Sequence, residues 1–144
     1  MRFVTRERIH VDRIATAWAI RRFVDADAIF EFVPRTRDVG GIDAVPFDIR
    51  GAELGHRGGR CTLEALIDKY ELRDSALRTM ARIIRAADLP QEDPAPVEAP
   101  GVLAIFDGIR DGCETDEERL AKGSVVCEAL YVHCRQTAES ASEM

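Results

Sequence analysis

The chain has 144 residues, of which 46% are hydrophobic and 32% charged, the size and composition of one folded domain rather than of a disordered or fibrous protein. Its net charge of -6, from 20 basic and 26 acidic residues, argues against general binding to nucleic acid or to an anionic membrane. No apolar stretch approaches the roughly 20 residues of a membrane helix, and the N-terminus lacks the apolar region of a secretory signal. We therefore predict a cytoplasmic protein.

The first half of the chain predicts two or three short strands and one helix. A short strand is expected at Phe3–Val4, followed by a helix that Asp12 can cap. The best strand pattern is Ala28–Val33, and a second short strand follows a polar loop at Val45–Ile49. Pro46 favours an edge position for this last strand, because proline cannot donate a ladder hydrogen bond.

The second half is predicted to be helical, because its apolar residues recur with the period of an α-helix. The predicted helices are Thr62–Tyr70, a helix capped by Asp74 and Ser75 that ends near Asp88, Gly101–Arg110, and a last helix from Thr115 or Asp116 through His133. The segment 90–100 holds four prolines and predicts a loop. The sequence thus predicts a single α+β domain over residues 1–136, predominantly α-helical with about five helices, and a frayed tail at 137–144.

Most of the candidate chemistry lies in the glycine-rich segment just before the Thr62 helix. Asp48, Glu53 and His56 offer carboxylate and imidazole ligands to a divalent metal such as Zn, Mn or Fe(II). Asp12, two residues after His10, and Asp88, at the end of the third helix, are further candidate ligands. A solvated loop, whose glycines only make turns, is the alternative interpretation of this segment.

The same segment also predicts an anion site. Gly58 and Gly59 would let the backbone approach an oxyanion, while Arg57 and Arg60 would supply forked donors beside the start of a helix. Arg13 is a further anion-binding candidate. The metal and anion interpretations are compatible, because a metal could hold one end of an anionic ligand.

Cys61 is a candidate redox thiol. It follows Arg60 and precedes a predicted helix start, and both features favour the thiolate. A buried, inert cysteine is the alternative. The four cysteines form no CxxC pair, so no disulfide framework is expected.

Three segments resemble the C-terminal domain of the bacterial chromate-resistance regulator family: FVTRERIHVDRIATAWAIRRFVD, VPFDIRGAELGHRGGRCTLEALIDKYEL and ALRTMARIIRAADL. The resemblance runs from Phe3 to about Arg135. In the full-length regulators this domain follows a DNA-binding half, and the whole protein is a chromate-responsive repressor. The resemblance implies a stand-alone domain here, without inherited DNA binding. The family pattern matches at Asp12, Arg13, Trp18, Asp48, Glu53, His56, Cys61, Thr62, Glu64 and Asp88.

The leading functional hypothesis is a cytosolic domain of the chromate-resistance response that binds a divalent metal, an oxyanion such as chromate or sulfate, or both, for sensing or detoxification. One alternative is a small metal-dependent enzyme, of hydrolase or oxidoreductase type, whose metal activates water or oxygen. The other is a protein interaction module. A homodimer is a further hypothesis, whereas we expect neither a membrane nor a nucleic acid as a partner.

Overall fold

The computed structural model describes residues 1–89 and 94–143, with side chains through residue 138. Five helices and a small sheet confirm the predicted, mainly helical α+β fold. In chain order the elements are β1 (Arg2–Arg6), α1 (Val11–Ala19) with a π-helical turn (Ile20–Val24), β2 (Ile29–Val33), β3 (Val45–Pro46), α2 (Thr62–Lys69), α3 (Ser75–Asp88), α4 (Ala99–Gly112) and α5 (Asp116–Glu143). None of the helices in these ranges has the length and apolarity needed to cross a membrane.

The sheet is parallel, with strand order β2-β1-β3. Because β1 is central, Phe3, Val4 and Thr5 are all buried. Pro46 lies in an edge strand, as predicted. The strand at Val45 is shorter than predicted, because Asp48 adopts a left-handed backbone with a φ of 50° that ends the extended run.

The helices pack around one core, in which α5 lies against both α1 and α3. The periodic apolar residues of α2 and α3 point into this core, and Leu63, Leu66, Leu77, Met80 and Ile84 are fully buried. The predicted helical faces are therefore confirmed for these two elements.

The helix starts agree with the sequence in part. Asp74 caps α3 by accepting from the Leu77 N–H at 2.9 Å, as predicted. At α5 the cap is Thr115, whose hydroxyl accepts from the Glu118 N–H at 3.1 Å. Asp12 is not a cap of its own helix, since α1 begins at Val11 after His10.

Two predicted boundaries differ from the structure. The backbone of α5 stays helical past His133 to Glu143, so the predicted tail begins inside a helix. Of the predicted loop 90–100, residues 90–93 lie outside the described residues. Its last two residues belong to α4, which begins at Ala99 with Pro100 in its first turn, a position where proline loses no helical hydrogen bond.

Gly123 of α5 packs directly against Ile14 of α1. A Cβ at this position would lie 2.4 Å from Cγ2 of Ile14 and 3.3 Å from Cε1 of Phe106. We therefore expect Gly123→Ala to lower the free energy of unfolding by about 1–3 kcal/mol through overpacking, although alanine favours helix. Gly108→Ala in α4 is the control, because open space surrounds Gly108. Urea unfolding should show Gly108→Ala at or above the parent, and equal stability of the two variants would contradict the prediction.

Candidate functional site

Three aspartates surround one imidazole nitrogen at one end of the sheet. Nε2 of His56 lies 2.8 Å from Asp12 Oδ2, 3.3 Å from Asp48 Oδ1 and 3.3 Å from Asp88 Oδ2. These residues come from the first turn of α1, the end of β3, the loop before α2 and the end of α3. One ligand atom from each of Asp12, Asp48 and His56 lies within 4.8 Å of the others, close enough for a single metal ion. The structure thus brings together four of the five predicted ligands.

Asp12 holds the start of α2. Its carboxylate, only 2% exposed, accepts from the N–H groups of Thr62 at 2.9 Å and Leu63 at 3.1 Å. Unpaired N–H groups and the helix dipole make a helix start favourable for a negative charge. Asp12 is therefore a cap after all, but of a helix 50 residues further along the chain.

Asp48 is held by Arg13 and Thr62. Nη2 of Arg13 donates to the Asp48 carbonyl at 2.8 Å, and its Nε lies 3.2 Å from Asp48 Oδ2. The Thr62 hydroxyl donates to Asp48 Oδ1 at 3.0 Å. These contacts keep the left-handed backbone in place and direct Oδ1 at His56. Arg13, predicted to bind an anion, is thus engaged with a carboxylate of the cluster.

Three groups of the cluster, His56, Asp88 and Asp48, have pKa values above their usual ones. The hydrogen bond to Asp12 raises the pKa of His56 to about 9, so the imidazole is a cation at neutral pH. Burial, and then the charge of Asp12, raises the pKa of Asp88 to about 6 and that of Asp48 above its usual value. The three carboxylates are therefore arranged around a positive charge.

The cluster forms the floor of a cleft of about 740 Å³. Arginine side chains line its outer part, namely Arg8, Arg35 and Arg110. His10 lines the same cleft, and its Nε2 lies 2.7 Å from Asp107 Oδ1 of α4. His10 and Asp12 do not share a strand face, because β1 ends at Arg6 and Asp12 is helical. Both side chains nevertheless reach the cleft.

One wall of the cleft is held by a buried ion pair that the sequence pattern did not indicate. The Asp116 carboxylate accepts from the N–H groups of Arg8 at 3.0 Å and Ile9 at 2.9 Å. Arg119 donates to this carboxylate at 3.0 Å, to the Arg110 carbonyl at 2.8 Å and to the Cys113 carbonyl at 2.7 Å. The only local signal was the three-residue spacing of Asp116 and Arg119 on one helix face.

Glu53 is the predicted ligand that the structure does not bring to the cluster. Its carboxylate lies 2.9 Å from Nζ of Lys69, and its side chain is 69% exposed. The loop before Leu54 turns Glu53 toward the end of α2, away from His56. In this arrangement Glu53 therefore does not lie among the candidate metal ligands.

The residues of the predicted anion site also lie away from the aspartate cluster. Arg57 and Arg60 pair across a tight turn, with Gly58 and Gly59 at φ values of 57° and 79°. Both arginines line a separate hollow beside α2, where Arg60 lies 2.6 Å from Asp68. The first N–H groups of α2, the helix start beside this predicted anion site, are bonded to Asp12. Arg57 also lines a small hollow with Asp48 and His56, but neither arginine lines the aspartate cleft, and the two glycines serve the turn.

Cys61 is fully buried against α3, with Sγ 3.8 Å from the Ala81 carbonyl. Burial, followed by the charge of Asp12, raises the pKa of this thiol, because both disfavour a thiolate. Burial and the raised pKa therefore favour the alternative of an inert cysteine. All four cysteines are free and buried, which agrees with the absence of a predicted disulfide.

Comparison with known proteins identifies the family. Protein ChrB of Cupriavidus metallidurans strain CH34 is 34% identical over 132 residues, which cover 91% of this chain and 40% of that relative. The chain thus spans less than half of the relative's length. No solved structure matches. A family model described as the C-terminal domain of ChrB matches residues 3–134, and the chain therefore belongs to this family, as its resemblance to the chromate-resistance regulators implied.

Proposed function

We propose that this domain binds one divalent first-row metal ion in the cytosol, as part of a chromate-resistance response. Asp12, Asp48 and His56 are the ligands, and Asp88 completes the set from the end of α3. The observation that carries the proposal is the approach of three carboxylates to one imidazole nitrogen within 3.3 Å. Carboxylate oxygens with one imidazole suit Mn, Fe(II) or Zn.

The same cleft supports a second, dependent step, the binding of an oxyanion such as chromate or sulfate. A metal-free floor carries three carboxylates against the charges of His56 and Arg13, so it repels a dianion. A bound divalent metal takes the place of the proton on His56 and cancels the remaining negative charge, so the repulsion is removed. Arg8, Arg35 and Arg110 line the same cleft and would donate to the remaining oxygens, Arg8 and Arg110 from positions where they pair with Asp111. A sensing or detoxifying role would use this order, with metal first and anion second.

Metal binding is tested by calorimetric titration of chelator-treated protein with Mn²⁺ and Zn²⁺. We expect His56→Gln to lower the affinity at least about 100-fold, because a direct ligand matters more than the outer groups whose loss costs 10–100-fold. Glu53→Gln is the matched control and should bind as the parent does, because Glu53 pairs with Lys69. Unchanged affinity in His56→Gln, or an equal loss in Glu53→Gln, would contradict the proposed ligand set.

The order of binding gives a separate prediction. Chromate and sulfate should bind to the metal-loaded protein and should show no measurable binding to the chelator-treated protein. Arg35→Gln should weaken anion binding to the loaded protein while leaving metal affinity unchanged, because Arg35 is exposed at the mouth of the cleft. Equal anion binding with and without metal would refute the dependence.

A further inference from the structure

The outer edge of β2 carries main-chain groups that face away from the sheet. The Ile29 N–H donates to the Met1 carbonyl and the Val33 carbonyl accepts from the Glu7 N–H, both at 2.9 Å. Ile29, Glu31 and Val33 therefore turn their main chain toward β1, and Phe30 and Phe32 turn theirs outward. Within the ranges 1–89 and 94–143, β2 pairs with β1 alone.

The two edges of the sheet are protected differently. On the far side β3 is only two residues long and contains Pro46, features that block strand addition. On the near side β2 has five residues, IFEFV, with neither proline nor lysine. Ile29 is 59% exposed at this edge. The β2 edge is thus the one suited to pairing with another strand.

The residue order of β2 specifies a second copy of the same strand as its partner. Read from either end, the strand has an aliphatic residue, a phenylalanine and then Glu31. When two copies run antiparallel about Glu31, Ile29 faces Val33 and Phe30 faces Phe32 of the other copy. The outward N–H and C=O groups of Phe30 and Phe32 then form reciprocal hydrogen bonds, the closely bonded pairs of an antiparallel ladder.

The surroundings of β2 fit this partner. Beside the strand lies a hollow of about 590 Å³, whose apolar lining includes Trp18, Phe30, Phe32 and Leu120. Phenylalanines of a second copy would lie on the same face of the joined sheet and contact this hollow. Glu31 would lie at the two-fold axis, and Arg37 is 3.7 Å from its carboxylate, so each axial charge has a counterion.

We propose that two copies of this chain associate edge to edge through β2, antiparallel about a two-fold axis at Glu31. The joined sheet has six strands in the order β3-β1-β2-β2-β1-β3. This interface is independent of the proposed metal cleft, so either proposal can fail without the other.

The position of Glu31 at the two-fold axis can be tested by reversing its charge. Sedimentation equilibrium over a range of concentrations measures how tightly the parent, the variant and their mixture associate. The parent should dimerise, and Glu31→Lys alone should not dimerise more tightly than the parent, because it places two lysines opposite each other beside Arg37. An equimolar mixture should form a heterodimer at least roughly fivefold tighter than either homodimer, since opposite charges then meet at the axis.

Glu114→Lys, an exposed change outside β2, is the matched control and should neither weaken the dimer nor gain from mixing. Far-ultraviolet circular dichroism and the emission of Trp18, the sole tryptophan, verify that each variant is folded. A parent that stays monomeric at every concentration overturns the proposal, as does a mixture that associates no more tightly than the separate proteins.

Discussion

Asp12→Asn is expected to lower the free energy of unfolding by about 3 kcal/mol in the metal-free protein, the scale of breaking a buried charged contact. The Asp12 carboxylate accepts from two N–H groups of α2 and from Nε2 of His56. Asparagine keeps one acceptor oxygen, and its amide group would direct hydrogens at these donors. The start of α2 and the His56 cation would both lose their counterpart.

Denaturant unfolding with a chelator present measures this effect. The matched control is Asp111→Asn in the same cleft, because the Asp111 side chain is 60% exposed and its ion pairs lie at the surface. The control should change stability by less than about 0.5 kcal/mol. A loss for Asp12→Asn no larger than for the control would show that α2 is held by other contacts.

Arg119→Ala is the second change with a large expected effect, a loss of about 3–5 kcal/mol. Arg119 is 6% exposed and donates to Asp116 and to two main-chain carbonyls. Removing it leaves the Asp116 charge without its ion-pair partner and two carbonyls without their donor. Since Asp116 also holds the N–H groups of Arg8 and Ile9, the wall of the cleft should loosen as well.

Thermal and denaturant unfolding of Arg119→Ala should be compared with Lys122→Ala. Lys122 forms an exposed ion pair with Glu118 one turn away on the same helix, and its loss should cost at most about 0.5 kcal/mol. Arg119→Lys should recover only part of the stability, because an ammonium cannot reproduce the planar fork of donors. Full recovery would mean that charge alone matters at this position.

The helical part of the fold could be predicted because its information is local. In α3 the Asp74 cap and the period of Leu77, Met80 and Ile84 lie within a few turns of each other, and all were confirmed. The length of β3 could not be predicted, since it depends on the left-handed backbone of Asp48. That conformation is held by Arg13, which lies 35 residues earlier in the chain.

The candidate site could also be predicted in its local features but not in its long-range contacts. Residue type alone indicated His56, Asp48, Asp12 and Asp88, and these side chains do converge. Glu53 was chosen for its nearness to His56 in the sequence, but the loop directs the two side chains apart. The positive end of α2 was expected to stabilise a Cys61 thiolate, yet the first N–H groups of α2 are bonded to Asp12. Local rules describe a helix start correctly without showing which distant group has already bound it.

The members of the cluster lie far apart along the chain, and this affects how metal binding changes the protein's stability and its degradation. His56 and Asp12 are 44 residues apart, and Leu63 and Asp12 are 51 apart, so the unfolded chain has no comparable cluster. A metal bound there therefore stabilises the folded state alone, by about 1.4 kcal/mol for each tenfold excess over its dissociation constant. Proteases act on the unfolded fraction. Under the proposed function, metal supply would thus set how much of this protein a cell retains, even before any anion reaches the cleft.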